Sequence, residues 1–333
     1  MTNRIITVGK AHGLYRTSTP EHVFTIIALD QQDVLRKALN ADAPMSVTDQ
    51  EITDFKLDAA EVFAPEISGI LLDPVWSVAQ AIERGLFRRT GLLIELEKAD
   101  YAMQALPLDT LIRLYWDTAK TKRIGADGVK LFFYYHPDDT ARAASQEALV
   151  SRIVTEAAVH DIPFFAEPIA YPHANGPAGG STAYAEDFPR VVIESARRTD
   201  ALGADVLKLE FPMDVRHQPD EAAWLDACQR LTAAIEAPWV LLSAGVDFET
   251  FQRQVQVACQ AGASGFIAGR SVWGDACRIQ DRGERRAWLE REGRSRVQSL
   301  VDIVRAHGSP WTTHYHIEPV STTWFASYGV PTT

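Results

Sequence analysis

Two lysines carry the first chemical signal in the chain. Lys130 lies in "GADGVKLFF" (125–133) and Lys208 in "GADVLKLEF" (203–211), each five residues after a Gly-Ala-Asp glycine and inside an apolar run. Lysine is almost never fully buried unless it is paired, so two such placements call for a use. A lysine amine adds to a carbonyl only as the free base, and its reference pKa of about 10.4 leaves it protonated at neutral pH. Desolvation and a neighbouring cation can bring that value toward ~7–8. Two lysines at matching depth, one supplying the cation that the other needs, therefore suggest Schiff-base chemistry. Glu167, in "IPFFAEP" (162–168), falls between them in chain order and offers a carboxylate for proton transfer. The plainer alternative is that each lysine snorkels along an apolar wall and pairs at the rim. It accounts for one lysine more easily than for two with a glutamate between.

Positioning such groups takes a scaffold that brings distant strands together. Apolar runs recur at 23–30, 68–73, 91–97, 127–135, 162–168, 204–211, 239–245 and 264–269. Most are nearly continuous rather than alternating, as expected of parallel strands covered on both faces. Helix-like segments lie between them: 107–125, 145–161 and 247–262 have helical apolar spacing, and the long crossover 31–67 has room for extra helix. This alternation predicts an α/β fold of the (β/α)8 TIM-barrel type in a single domain spanning 1–333. The barrel would cover about 23–282, with C-terminal helices at 283–308 and an irregular tail at 309–333, surface or partner-facing. A doubly wound open sheet is the rival, weakened by the absence of a G-x-G-x-x-G turn.

The chain has 333 residues and a formal net charge of −11, which argues against a nucleic-acid surface. The opening residues lack a signal-peptide apolar core, and no run reaches the ~20 apolar residues of a membrane span. A reduced cytoplasmic setting is the expectation. Cys228, Cys259 and Cys277 are odd in number and without C-x-x-C spacing, so neither a disulfide framework nor a zinc knuckle is indicated.

Active sites of TIM barrels lie at the C-terminal ends of the strands. Asp30, Asp73, Glu97, Lys130, Glu167, Lys208, Ser243 and Arg270 interrupt or close the apolar runs there, and several should share one mouth. "SAGV" and "AGRSVW", after the seventh and eighth runs, add small backbone-rich turns, and Arg270 adds a fork suited to a phosphate dianion. Together they indicate a phosphate-binding corner.

The runs "LLDP", "GLLIELEKADY", "GADGVKLFFYY", "IPFFAEPIAY", "ADVLKLEFP", "LLSAGV" and "AGR" resemble, in order from about Val23 to Trp311, the class I tagatose 1,6-bisphosphate aldolase family. That family also includes the sulfofructose-phosphate aldolases. The resemblance implies a metal-independent lyase without a cofactor, cleaving a ketose 1-phosphate to dihydroxyacetone phosphate and an aldehyde. Tagatose 1,6-bisphosphate is the leading substrate. The alternative is 6-deoxy-6-sulfofructose 1-phosphate, giving sulfolactaldehyde. By the same resemblance Lys208 is the Schiff-base lysine, Glu167 the acid/base carboxylate and Lys130 the second active-site lysine. Asp30 and Gln31 line the substrate site, and Ser243, Gly245, Gly269 and Arg270 hold the phosphate. The partner is thus a small phosphosugar; a homodimer is compatible with the resemblance, the aromatic tail being its candidate contact. One departure stands out. Bisphosphate members usually read Asp-Gln-Arg-Gly where this chain has "DQQD" (30–33), so Gln32 and Asp33 replace an arginine and a glycine.

Metal-dependent aldol chemistry would want a histidine cluster. His314 and His316 form the only close pair and lie in the tail, and His136 and His173 read as loop polar groups bordering the mouth. Trp76, Trp116, Trp224, Trp273 and Trp311 read as helix–barrel packing, and 284–296 as a solvated helix face. Two other functions fit the scaffold: a phosphosugar isomerase or epimerase, and a non-catalytic sugar-phosphate sensor. The sensor has no need of a nucleophilic lysine.

Overall fold

Short, β-branched and aromatic runs bounded by glycine and polar turns pair into parallel strands, and the computed structural model closes them into a ring. It describes residues 4–98, 109–317, 319–326 and 328. The chain opens with β1 (Arg4–Ile6) and α1 (Val8–Thr17). The ring is then laid down as β2 (Phe24–Ala28), β3 (Gly69–Leu72), β4 (Gly91–Glu95), β5 (Gly128–Tyr135), β6 (Phe164–Ala170), β7 (Val206–Leu209), β8 (Trp239–Leu242) and β9 (Gly265–Ala268). Each pairs parallel to the next, and β9 returns to β2, so the barrel is closed and the open-sheet alternative is excluded. All eight predicted runs are its strands.

Six of the nine connecting helices among the described residues start at a side-chain cap. After β2 come α2 (Asp33–Leu39) and α3 (Asp49–Phe63), which fill the long crossover; α4 (Val78–Glu83) follows β3 and α5 (Thr118–Arg123) follows β4. Then come α6 (Thr140–Val159), α7 (Thr182–Ala201), α8 (Glu221–Ala233), α9 (Phe248–Gln260) and the short α10 (Arg270–Trp273). Asp117, Asp139, Ser181, Asp220 and Asp247 each accept a backbone N–H of the first turn, and Thr48 and Glu51 form a capping box on α3. The C-terminal helices are α11 (Arg282–Trp288) and α12 (Arg294–His307), joined by a π turn over Leu289–Gly293.

Strand parity decides which side chains meet inside. Phe24, Ile26, Ala28, Leu71, Leu93, Phe165, Val206, Val240 and Ile267 form one inner apolar cluster, while their neighbours in sequence pack outward against the helices. The inner cluster also includes Ile6, Ala11, Leu14, Trp311 and Tyr315, which close the N-terminal end of the barrel as a floor. At the β2–β9 seam a side chain on Gly265, at φ +133°, would reach within 1.9 Å of the Phe24 carbonyl oxygen, so only glycine fits that approach.

Two expectations need correction. The helix predicted over 107–125 exists only from Thr118, where Asp117 caps it. Residues 107 and 108 lie outside the described residues. From 109 the chain instead runs back along β4: Ile112 bridges Glu97 antiparallel, Arg113 N–H donates to the Leu96 carbonyl at 2.8 Å, and Leu111 accepts from Lys98 N–H at 2.8 Å. The apolar spacing that suggested a helix face leaves Leu111, Leu114 and Tyr115 exposed. The tail also differs from an irregular surface segment. Trp311 is fully buried, and β10 (Tyr315–Ile317) pairs parallel with β1, because an open barrel end must be plugged by something apolar. Among the described residues no helix is long and apolar enough to cross a membrane.

Candidate active site

The inward parity of the floor continues upward and changes character at the C-terminal ends of the strands. Lys130 on β5, Glu167 on β6 and Lys208 on β7 project into the barrel above the apolar layers, joined by Asp30 just past β2 and Glu95 and Glu97 at the end of β4. These six are at most 5% exposed. They form one connected chain of charge. Lys208 Nζ lies 2.7 Å from Glu167 Oε1, and Lys130 Nζ lies 2.8 Å from Glu167 Oε2. Lys130 Nζ also lies 2.9 Å from Asp30 Oδ2 and 2.5 Å from Glu97 Oε1. One glutamate therefore offers an oxygen to each lysine.

The two lysines are not equivalent. Burial opposes the charge on Lys130, but the carboxylates of Asp30, Glu167, Glu97 and Glu95 outweigh it and hold its pKa well above the usual lysine range. Lys130 is a fixed cation. Lys208 has a single carboxylate partner among the described residues, and that partner is shared. Burial likewise opposes the charge on Asp30, yet Lys130 and Lys208 prevail and pull it below the usual range. Glu97 and Glu95 are pushed the other way, first by burial, with neighbouring carboxylates adding to the effect.

A second group gathers beside β2, β8 and β9. Ser243 Oγ accepts the Gly269 N–H at 3.3 Å, and Ser271 Oγ donates to the Ser243 carbonyl at 3.3 Å. Gly245 sits at φ +77° beneath the Arg270 guanidinium, whose carbon would lie 3.0 Å from any Cβ there. Gln31 covers Gly269 in the same way, its Nε2 2.8 Å from a Cβ built at that glycine. Backbone N–H groups, a serine and a guanidinium thus share one corner, a combination suited to an oxyanion. Asp30 and Gln31, adjacent in sequence, link this corner to the lysines.

The nine residues assigned a catalytic or binding role fall in these two groups: Lys208, Glu167, Lys130 and Asp30 in the first, Gln31, Ser243, Gly245, Gly269 and Arg270 in the second. Asp73, expected at the mouth, is instead committed to the β3–α4 turn. It accepts the Val75 and Trp76 N–H groups at 2.8 Å each and pairs with fully buried Lys56 of α3. His136 and His173 stack on one another beyond β5 and β6, with ring centroids 5.3 Å apart. Asp30, Glu95 and Glu97 bring carboxylate oxygens within 4.8 Å of one another, a spacing that a metal ion could use. The Lys130 ammonium already lies against two of the three, so the positive charge that this cluster requires is supplied by the chain.

Three further residues escaped the sequence reading. Glu95 is two positions before Glu97 and shares its parity; it accepts a hydrogen bond from Gln32 Nε2. Glu210 is two positions after Lys208, and its Oε2 accepts the Ala170 N–H at 2.7 Å. Burial, partly offset by that hydrogen bond and reinforced by Glu167, lifts its pKa to about 8. Arg113, from the segment running back along β4, places Nη2 3.7 Å from Glu95 Oε1. The period-2 rule, stepped back from Glu97 into β4 and on from Lys208 past the end of β7, would have found both glutamates.

A family model described as DeoC/LacD family aldolase matches residues 24–275, from β2 through α10. Tagatose 1,6-diphosphate aldolase 1 of Enterococcus faecalis is 34% identical over 300 residues, covering 84% of this chain and 89% of its own. Tagatose 1,6-diphosphate aldolase of Listeria monocytogenes is 33% identical over 332 residues, covering 93% and 96%. Among solved structures, a Schiff-base-forming fructose-1,6-bisphosphate aldolase aligns with a TM-score of 0.57 at 19% identity, covering 88% of this chain and 98% of its own. At that identity the likeness speaks for the fold.

Proposed function

The chain belongs to the DeoC/LacD family of aldolases, and from that membership we propose that it cleaves a ketose 1-phosphate through a Schiff base on Lys208, tagatose 1,6-bisphosphate being the leading substrate. The observation that carries this reading is the sharing of Glu167 between Lys208 at 2.7 Å and Lys130 at 2.8 Å. A nucleophilic amine needs a nearby group to take and return protons, and Glu167 stands in that position. The curated relatives named tagatose 1,6-diphosphate aldolase support the choice of substrate.

The substrate phosphate would sit in the corner of Ser243, Gly245, Gly269 and Arg270, placing C2 near Lys208 on the adjoining strand. Lys208 adds to the C2 ketone, and loss of water gives an iminium. Glu167 removes the C4 hydroxyl proton, the C3–C4 bond breaks, and its electron pair moves into the iminium to form an enamine. The aldehyde leaves, C3 takes up a proton, and water hydrolyses the resulting iminium to release dihydroxyacetone phosphate and free Lys208. Lys130 holds Asp30, Glu97 and Glu167 in place and supplies the neighbouring positive charge.

Borohydride reduction in the presence of dihydroxyacetone phosphate tests the scheme. A three-carbon phosphate adduct on Lys208 in the peptide map is expected, and Lys208→Ala should lose activity by about 10³-fold or more. Absence of the adduct, or its appearance on Lys130, would overturn the assignment. Coupled release of dihydroxyacetone phosphate from tagatose and fructose bisphosphates and from 6-deoxy-6-sulfofructose 1-phosphate then ranks the substrates.

A further inference from the structure

We infer that Arg113 is the specificity-determining residue of this chain, recognising an anionic group on the end of the substrate remote from the Schiff base. The inference rests on the ketose-phosphate reading above and extends it to the far side of the mouth. In the closed order of strands, β4 stands across the barrel from β8, whose following loop supplies Ser243 and Gly245. A substrate anchored by one phosphate at β8 and β9 and bound at C2 by Lys208 on β7 extends across the mouth, over Glu167 on β6 and Lys130 on β5, toward β4. The guanidinium of Arg113 is held there. Its backbone is fixed by the 2.8 Å hydrogen bond to the Leu96 carbonyl and by the neighbouring Glu97–Ile112 bridge.

Arg113 has donors to spare. Its side chain is only 15% exposed, and Nε and Nη2 are buried without a hydrogen-bond partner among the described residues. The carboxyl nearest to it, Glu95, stands off at 3.7 Å, beyond hydrogen-bonding reach, and is itself hydrogen-bonded by Gln32. Burying a guanidinium in this way is costly unless something pairs with its fork. A phosphate or sulfonate offers oxygens in the bidentate geometry that Arg favours. Gln32, engaged with Glu95, brings no charge to this side.

The test uses three ketose 1-phosphates that differ only at C6: phosphate, sulfonate or hydroxyl. The wild type should favour an anionic substrate, and whichever anion it cleaves best identifies the natural group. Arg113→Met should raise KM for that substrate so that kcat/KM falls roughly 10²-fold, while the hydroxyl substrate changes less than about 3-fold. Arg113→Lys, which keeps the charge and loses the fork, should fall between the two and serves if the Met variant folds poorly. An equal loss on all three substrates would assign Arg113 a structural role only and overturn the inference, as would no loss on any. If the wild type cleaves all three equally, the aldolase reading stands and the Arg113 assignment fails. If it cleaves none and forms no borohydride adduct, the Schiff-base reading fails and the assignment with it.

Discussion

Two lysines of nearly identical sequence context carry different burdens because of what surrounds them. Lys130 touches three carboxylates within 2.5–2.9 Å, whereas Lys208 touches one. The contrast was partly legible: the apolar runs and the intervening Glu167 identified the trio, since a charge inside an apolar strand is conspicuous. The sharing of one carboxylate was not, because it depends on the curvature of the barrel between β5 and β7. Glu210 shows the same limit; it reads as the polar end of a run until Lys208 fixes the parity. Its titration gives a pH prediction. Folded, it holds its proton up to about pH 8, whereas unfolded it would release it near 4.3. Between those values the folded chain binds more protons, so this contribution to stability is full below the unfolded pKa and is lost as pH rises through about 8. Glu210→Gln should flatten that decline. Thermal midpoints from pH 5 to 9 check it, and curves of equal slope for both proteins would contradict it.

Secondary-structure elements supply position, and their ends supply chemistry. Each strand was visible as an apolar run, but of the helix starts only that of α9, at its Asp247 cap, was placed correctly; α6 begins at Thr140, five residues before the expected start. The segment 109–117 misled because Leu111, Leu114 and Tyr115 mimic a helix face, while its real course is set by hydrogen bonds to the end of β4, a long-range pairing that local spacing does not encode. Arg113 was invisible for that reason. At the corner of Ser243, Gly245, Gly269 and Arg270 the requirement falls on backbone shape. Gly245 combines φ +77° with a guanidinium lying 3.0 Å from where a Cβ would stand. Gly245→Ala should therefore cost about 1–3 kcal/mol of strain and displace Arg270. A KM for the phosphosugar at least about tenfold higher is the expected readout; unchanged kinetics would show that the turn tolerates a side chain.

At the scale of the whole molecule the barrel has an apolar floor and a charged mouth. Trp311 is fully buried among Tyr15, His22 and Tyr315 and donates its indole N–H to Ser18 Oγ at 3.1 Å. Its removal should be felt as a core deletion: Trp311→Ala is expected to lose about 3–5 kcal/mol in denaturant unfolding. Because the plug lies at the opposite end from the lysines, borohydride trapping at low temperature should still label the folded fraction of that variant. A loss of trapping without a loss of stability would tie the floor to the mouth. Arg113 comes from a segment outside the strand framework, whereas Lys130, Glu167 and Lys208 are built into strands where a one-residue slip would turn them to the wrong face. On the reading proposed above, bond cleavage and substrate choice fall to parts of the chain with different tolerance for insertion. Lengthening or grafting the 109–117 segment is a route by which the same cleavage could be redirected to sugars with other tails, with the catalytic strands untouched.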